Sequence, residues 1–358
     1  MTSIPASKLV RALLRPGLAA LCALGANTAL ACATCGCTLS TDAITGAGNS
    51  AGWQLSLQYD FINQDQLRSG RSPITASQVA AINNAAGDQE VEHGTLNRYL
   101  TAGLSYSPDA VWTYKLLLPY VDRSHSTYGA ASNPLSSDEI SSGRVSSIGD
   151  AKLLITYQGL LSTQALSLQI GLKLPTGHYG GPSADGKGIV GRSPVPFTRG
   201  PNAQQPWPGN LMDTSLQAGT GSTDLIAGAS FTHEVGANLN AFYSGQVQLA
   251  VRHLLTQPGA DFRPGNSETL SAGIRYVLDP VITPQLQLNV FHKSADQGAL
   301  ADTANTAGTV AYLSPGISMA AGEQTHLYGF IQLPLYSRLS GYQLFPRWTV
   351  TLGVTHAF

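Results

Sequence analysis

The sequence predicts an all-β fold: a transmembrane antiparallel up-and-down β-barrel of about 12 strands, behind a cleaved signal peptide. Three observations predict it. Twelve segments alternate apolar residues with small or polar ones. The connections between them are long and short in turn. The last segment, Trp348 to Phe358, ends the chain on an aromatic residue. Side chains alternate across a strand with period two, so such segments have one apolar face. Each is about 8–12 residues, the length a tilted membrane strand requires.

Composition fits this class. Charged residues make up 11% of the 358 residues, well below the roughly 25% of soluble domains. The 38 glycines and 14 tyrosines suit many turns and interfacial girdles. A formal net charge of −1 argues against nucleic acid as a partner.

Residues 1–31 read as a signal peptide. Lys8, Arg11 and Arg15 form the basic region, and Pro16 to Leu30, which contains Cys22, is the apolar one. Ala29-Leu30-Ala31 supplies the small-x-small cleavage site. The apolar run is shorter than the ~20 residues a spanning helix needs. A chain with no longer apolar stretch enters a membrane only as a barrel.

Residues 32–52 form a short head. Cys32, Cys35 and Cys37 make a CxxCxC cluster, and no histidine follows the C-x-x-C as covalent haem attachment requires. Three readings stay open. Three thiolates can hold a soft metal. An oxidising periplasm can close a Cys32–Cys35 disulfide. Cys32 can be lipidated, although Ala29 stands where a lipoprotein signal carries leucine. The cluster can cap the barrel mouth or meet a periplasmic partner. Thr38 to Gly52 is small and polar, as in a flexible tether.

Residues 53–358 hold the barrel. The expected strands are Trp53–Phe61, Leu96–Tyr106, Trp112–Tyr120, Asp150–Tyr157, Ala165–Leu174 and Thr223–His233. They continue with Asn238–Leu249, Glu268–Val277, Gln285–Lys293, Thr309–Met319, Thr325–Leu333 and Trp348–Phe358. Pro315 interrupts the tenth. Long connections are expected at Ile62–Thr95, Val121–Gly149, Pro175–Ser222, Ala250–Ser267, Ser294–Gly308 and Pro334–Arg347. Short ones include Ser107–Val111, Glu234–Ala237 and Ala320–Gln324. Outer-membrane barrels carry short periplasmic turns and long outer loops. An even strand count then puts both termini in the periplasm. Lipid and lipopolysaccharide would surround such a barrel, and Phe358 would be its signal to the barrel assembly machinery.

Gly171-Leu172-Lys173-Leu174-Pro175-Thr176-Gly177 resembles the G-x-K-x-P-T-G signature of the MetA-pathway-of-phenol-degradation family of outer-membrane channels. Gln217 to Asp224, Q-A-G-T-G-S-T-D, is similar to the run that follows in that family, with Ala218 in place of proline. Ser314-Pro315-Gly316 and Gln332 to Phe358 also fit. The resemblance implies a channel or transporter and names no substrate. The function expected for the whole chain is a non-enzymatic channel or transporter for small solutes, anionic or aromatic. The cysteine head is not part of that pattern.

Alternation places Lys115, Lys152, Lys173, Arg275 and Lys293 on the inward face, with Asp150 and Asp224. They would form either a salt-bridge ladder filling a narrow barrel or a cationic path favouring anions. The proline-rich Pro175–Ser222 loop would cover or constrict the mouth. Two other functions remain: a metal-handling or redox protein working through the cysteine cluster, and a lipid hydrolase. For the latter, His233, His292 and His356 are available, but no G-x-S-x-G is present.

Overall fold

The computed structural model describes residues 51–86, 91–128, 139–277 and 281–358. The expected signal peptide and Cys32, Cys35 and Cys37 lie outside the described residues.

The strands are β1 (Gly52–Gly70), β2 (Ser72–Pro73), β3 (Val91–Ser107), β4 (Trp112–Tyr128), β5 (Ile140–Ile148), β6 (Ala151–Tyr157) and β7 (Leu166–Leu174). After the loop strands β8 (Tyr179–Pro182) and β9 (Ile189–Arg192) come β10 (Ser222–Gly236), β11 (Leu239–His253) and β12 (Ser267–Tyr276). The chain ends with β13 (Ile282–Lys293), β14 (Gly308–Ala320) and β15 (Thr325–Ala357). One helix, α1 (Ala76–Ala86), follows β2.

The sheet closes because β1 pairs antiparallel with both β3 and β15. Closure leaves no open edge, which a lipid environment demands of any sheet. The ring contains eleven strand elements, and β2 and β5 extend it outside the path. The 33-residue β15 crosses twice. Its first part pairs with β14 and its second with β1. The two halves face each other through Gln332 Nε2 to Thr349 Oγ1 at 2.9 Å and Ala357 N to Gln324 O at 2.9 Å. Twelve crossings result, as the alternation implied.

The apolar faces point outward. Trp53, Leu55, Leu104, Leu270, Ile274 and Leu352 are exposed on the barrel's outer surface. Ring pairs Trp53–Tyr106 and Trp112–Tyr157, at 4.7 and 4.6 Å between centroids, stand at the short-turn end. Phe61 stacks on Trp348 at 5.6 Å toward the long-loop end. Aromatic side chains suit both interfaces of a bilayer, having an apolar body and, in Trp and Tyr, a polar handle.

Three expected long connections need correction. Strands β1, β3 and β4 continue well beyond the expected ends, and β5 occupies part of Val121–Gly149. Pro334–Arg347 is not a loop: β15 runs through it and reverses near Gly341, whose φ is +47°. Period-two alternation slips by one residue at Leu335 and Tyr336, both exposed, and resumes with Ser337 and Leu339 buried, so no unbroken pattern runs through this stretch. Pro334 and Pro346 sit beside register shifts, where a missing N–H is tolerated. Pro315 does not interrupt β14, where it pairs in register with Leu286. Helix α1 was also unexpected. Its start is a capping box: Gln78 N donates to Thr75 Oγ1 at 3.3 Å, and Thr75 N to Gln78 Oε1 at 2.9 Å.

Candidate functional site

The inner wall of the barrel is polar. Gln58, Asp60, Asn97, Arg123, Lys173, Asp224, Gln287 and Asn289 are all buried within it. The most connected part lies where β6, β7 and β10 adjoin.

Lys173 of β7 sits in register between Lys152 of β6 and Asp224 of β10. Its ammonium lies 3.2 Å from Asp150 Oδ2 and 3.0 Å from Asp224 Oδ2, and all three side chains are under 8% exposed. It also donates to Ser222 Oγ at 3.0 Å and to Thr220 Oγ1. Burying charge is costly unless the partners satisfy it, and here a cation is flanked by two carboxylates and two hydroxyls. Asp150 reaches this position at a bulge. Between the pairs Tyr120–Ile148 and Leu117–Lys152, three residues of one strand oppose two of the other.

The same carboxylate ties both ends of the Pro175–Ser222 loop. Asp150 Oδ1 accepts from Gly177 N at 3.1 Å, and Asp150 Oδ2 from Thr220 N at 3.0 Å. Gly177 and Gly219 meet backbone to backbone. A Cβ on Gly219 would lie 2.5 Å from Asp150 Oδ1, and one on Gly177 would lie 2.8 Å from Gly219 N. The two glycine-rich runs, Gly171–Gly177 and Gln217–Asp224, are therefore the two halves of one clasp.

The loop body folds onto the inner wall. Arg123 of β4, 5% exposed, donates through one guanidinium nitrogen to Leu216 O at 2.7 Å and Gln217 O at 3.2 Å. Its other nitrogens are held by Asn97 Oδ1 at 2.6 Å and Tyr99 Oη at 2.8 Å. Phe197, Met212 and Leu216 pack with Val145 of β5. Ser142 of β5 and Arg199 of the loop exchange backbone hydrogen bonds at 3.0 and 3.1 Å. On the far side, Gly181 lies against Leu300 of the connection before β14. The loop thus reaches from the β5 wall to the opposite rim. Its tip is exposed at Asp185, whose carboxyl is held below the usual range by the Ser183 hydroxyl and the Lys187 N–H.

The expected site residues divide between two walls. Lys152, Lys173, Asp150 and Asp224 come together, and Lys115 lies on the same wall, in register with Ser105 and Leu154. Lys152 makes no ion pair among the described residues. Arg275 stands apart on β12 with its guanidinium 5.5 Å from the Phe242 ring centroid. Lys293 ends β13 and pairs with Asp296 at 2.6 Å. Phe358 is 62% exposed at the closing seam, where its N–H donates to Trp53 O at 2.8 Å. Sequence reading missed Arg123, Asn97, Thr220, Ser222 and Asp60. Thr220 and Ser222 lay inside the glycine-rich Gln217–Asp224 run, so their signal was present. His292 and His356 each pair with a threonine hydroxyl, Thr309 at 3.0 Å and Thr325 at 2.8 Å. His233 stacks between Phe231 and Tyr243.

No family model and no curated protein matches the chain. Solved structures do. The COG4313 outer membrane channel from Pseudomonas putida F1 has a TM-score of 0.58 at 14% identity, over 87% of this chain and 98% of that one. The CymD monoaromatic hydrocarbon channel gives a TM-score of 0.42 at 13% identity, over 86% and 89%. A Pseudomonas aeruginosa FadL homologue gives 0.41 at 10% identity, over 92% and 98%.

Proposed function

We propose that this outer-membrane β-barrel is a channel for small solutes, with anions favoured, gated by its Pro175–Ser222 loop. Long connections face outward, and both termini lie in the periplasm. The observation that supports this reading is the double attachment of the loop. Its two ends are clasped by Asp150, while its body is held across the inner wall by Arg123. A loop that only covered the exterior would have no use for a buried guanidinium aimed at its carbonyls.

The charge of the inner wall supports the anion preference. Lys115, Arg123, Lys152, Lys173, Arg275 and Lys293 outnumber Asp60, Asp150, Asp224 and Asp296. Twelve strands enclose little more than the eight that side chains can fill, so any solute passes close to these groups. The COG4313 neighbour, which shares the fold, is an outer membrane channel, in keeping with this reading.

Single-channel recording in planar bilayers tests it. Wild type should conduct weakly and intermittently. A variant with residues 183–216 replaced by a short Gly-Ser linker should conduct steadily and more strongly. Anion preference should grow in dilute salt, because fixed charges are screened over about 10 Å at 0.1 M. Silence from both proteins would sink the channel reading, and equal conductance would sink the gate.

A further inference from the structure

The outer surface of the barrel differs around its circumference. Beyond the apolar band at the long-loop end, the sector from β15 through β1, β3 and β4 to β5 holds an arc of arginines, carried by β15, β3 and β5 and joined by Arg71 just after β1. Arg98 is the register partner of Phe61, the residue that stacks on Trp348. Its guanidinium lies 3.4 Å from Asp122, which also accepts from Arg144 at 2.7 and 3.0 Å. Arg347, next to Trp348, pairs with Asp65 at 3.3 Å. Arg71 lies over the Tyr336 ring at 5.2 Å, and Arg338 follows Tyr336 on the exposed face. The side chains of Arg98, Arg144 and Arg347 are 38%, 61% and 65% exposed. Five arginines against two aspartates leave three positive charges in excess. At the corresponding rim of β12 and β13 stand Glu268 and His292, in register with each other.

An isolated surface ion pair contributes little, and scattered arginines would be simply solvated. This arc is continuous over adjacent strands and begins at the edge of the apolar band. That edge is the level of lipid headgroups. Guanidinium presents a planar fork that matches phosphate oxygens, and the band below offers Phe61, Trp348 and Leu100 to acyl chains.

The geometry points to a binding surface for a phosphorylated glycolipid of the outer leaflet, of the lipid A class. Its phosphates meet Arg71, Arg98, Arg144, Arg338 and Arg347, and its acyl chains lie along the apolar band below. Asp122 and Asp65 hold three of the guanidiniums in place between contacts. The proposal rests on the outer-membrane reading with long connections outward.

The test uses delipidated full-length protein in nanodiscs containing either bisphosphorylated lipid A or the same lipid without phosphates. Retained lipid is counted by native mass spectrometry. Wild type should retain the phosphorylated form about tenfold better, and the R98Q/R144Q/R347Q variant should lose most of that preference. Equal retention of the two lipids by wild type, or an undiminished preference in the folded variant, overturns the proposal. Release of the lipid by inorganic phosphate at equal concentration also overturns it, because the site would then be a simple anion site. Heat-modifiable mobility on gels reports folding. If the triple variant fails to fold, R144Q and R347Q are measured singly, and each should lose about two- to threefold. Conductance of the same samples separates the two ideas: normal currents with no lipid preference remove the arc and leave the channel standing.

Discussion

The two inner walls of the barrel are built from different chemistry. The wall formed by β4, β6, β7 and β10 is ionic and clamped: Lys173 lies between two carboxylates, and Arg123 grips the loop. The wall formed by β12, β13 and β14 is neutral over most of its height. Gln285, Gln287 and Asn289 are buried there, with Asn289 Nδ2 donating to Ser314 Oγ at 2.8 Å. Gln287 Nε2 and Asn289 Oδ1 find no hydrogen-bond partner among the described residues. Unpaired buried polar groups are rare and are normally met by water or ligand. The difference assigns separate tasks. One wall fixes the loop, and the other holds buried polar atoms that no described residue engages.

Breaking the ionic wall should have the largest effect. Lys173→Ala leaves Asp150 and Asp224 buried without their cation, a change that costs about 3–5 kcal/mol. The urea midpoint for the folded barrel should fall sharply, and both loop ends should become protease-sensitive. An unchanged midpoint would show that the two carboxylates are satisfied without the lysine.

Next comes Arg123→Gln, which removes the charged donor to Leu216 O and Gln217 O. Hydrogen bonds to charged groups contribute about 1.5–3 kcal/mol. Because the clasp at Asp150 remains, the barrel should stay folded while the loop body is released. Cleavage between residues 183 and 216 should accelerate, and open-channel probability should rise. Faster cleavage with unchanged current would mean that the loop does not obstruct the path.

The two walls were not equally legible. Strands β10 to β14 follow from alternation and short turns, because each pairs with its neighbour in sequence and needs nothing distant. Inward placement of Lys173 and Asp224 followed from the same period. Their contact with each other did not, since register across the Pro175–Ser222 loop is set by the bulge at Asp150 and by the meeting of Gly177 with Gly219. Arg123 falls in the Val121–Gly149 stretch, where the sequence predicts a connection, whereas β4 carries its alternation on to Tyr128. The glycine-rich runs were visible, but a backbone-to-backbone approach between segments about 40 residues apart has no local periodicity.

A smaller effect is expected on the neutral wall. Gln287→Leu removes a buried donor that lacks a partner, so stability should change by no more than about 1 kcal/mol. Conductance should nonetheless fall by about half, because an apolar side chain in a narrow lumen disfavours water. Circular dichroism melts and bilayer currents on one preparation check both halves. A large loss of stability would reveal that Gln287 already has a partner, and the contrast between the walls would weaken.

The smallest effect on either wall should come from the cysteine head. Cys37 and Trp53 are joined by a chain that spans at most ~50 Å when extended, at about 3.3 Å per residue. A tether of that length would be long enough for the expected periplasmic head to reach the short-turn mouth, whereas both ionic clasps lie toward the long-loop end. Replacing Cys32, Cys35 and Cys37 with serine should leave the urea midpoint, heat-modifiable mobility and single-channel current unchanged. What should disappear is chemistry that belongs to thiolates, the binding of a soft metal or the exchange of a disulfide. Metal content and free-thiol count on protein purified from the outer membrane read this directly. Three free, metal-free and unlipidated thiols would reduce the head to an inert leader. Loss of current in the serine variant would instead make the head part of the proposed conduction path.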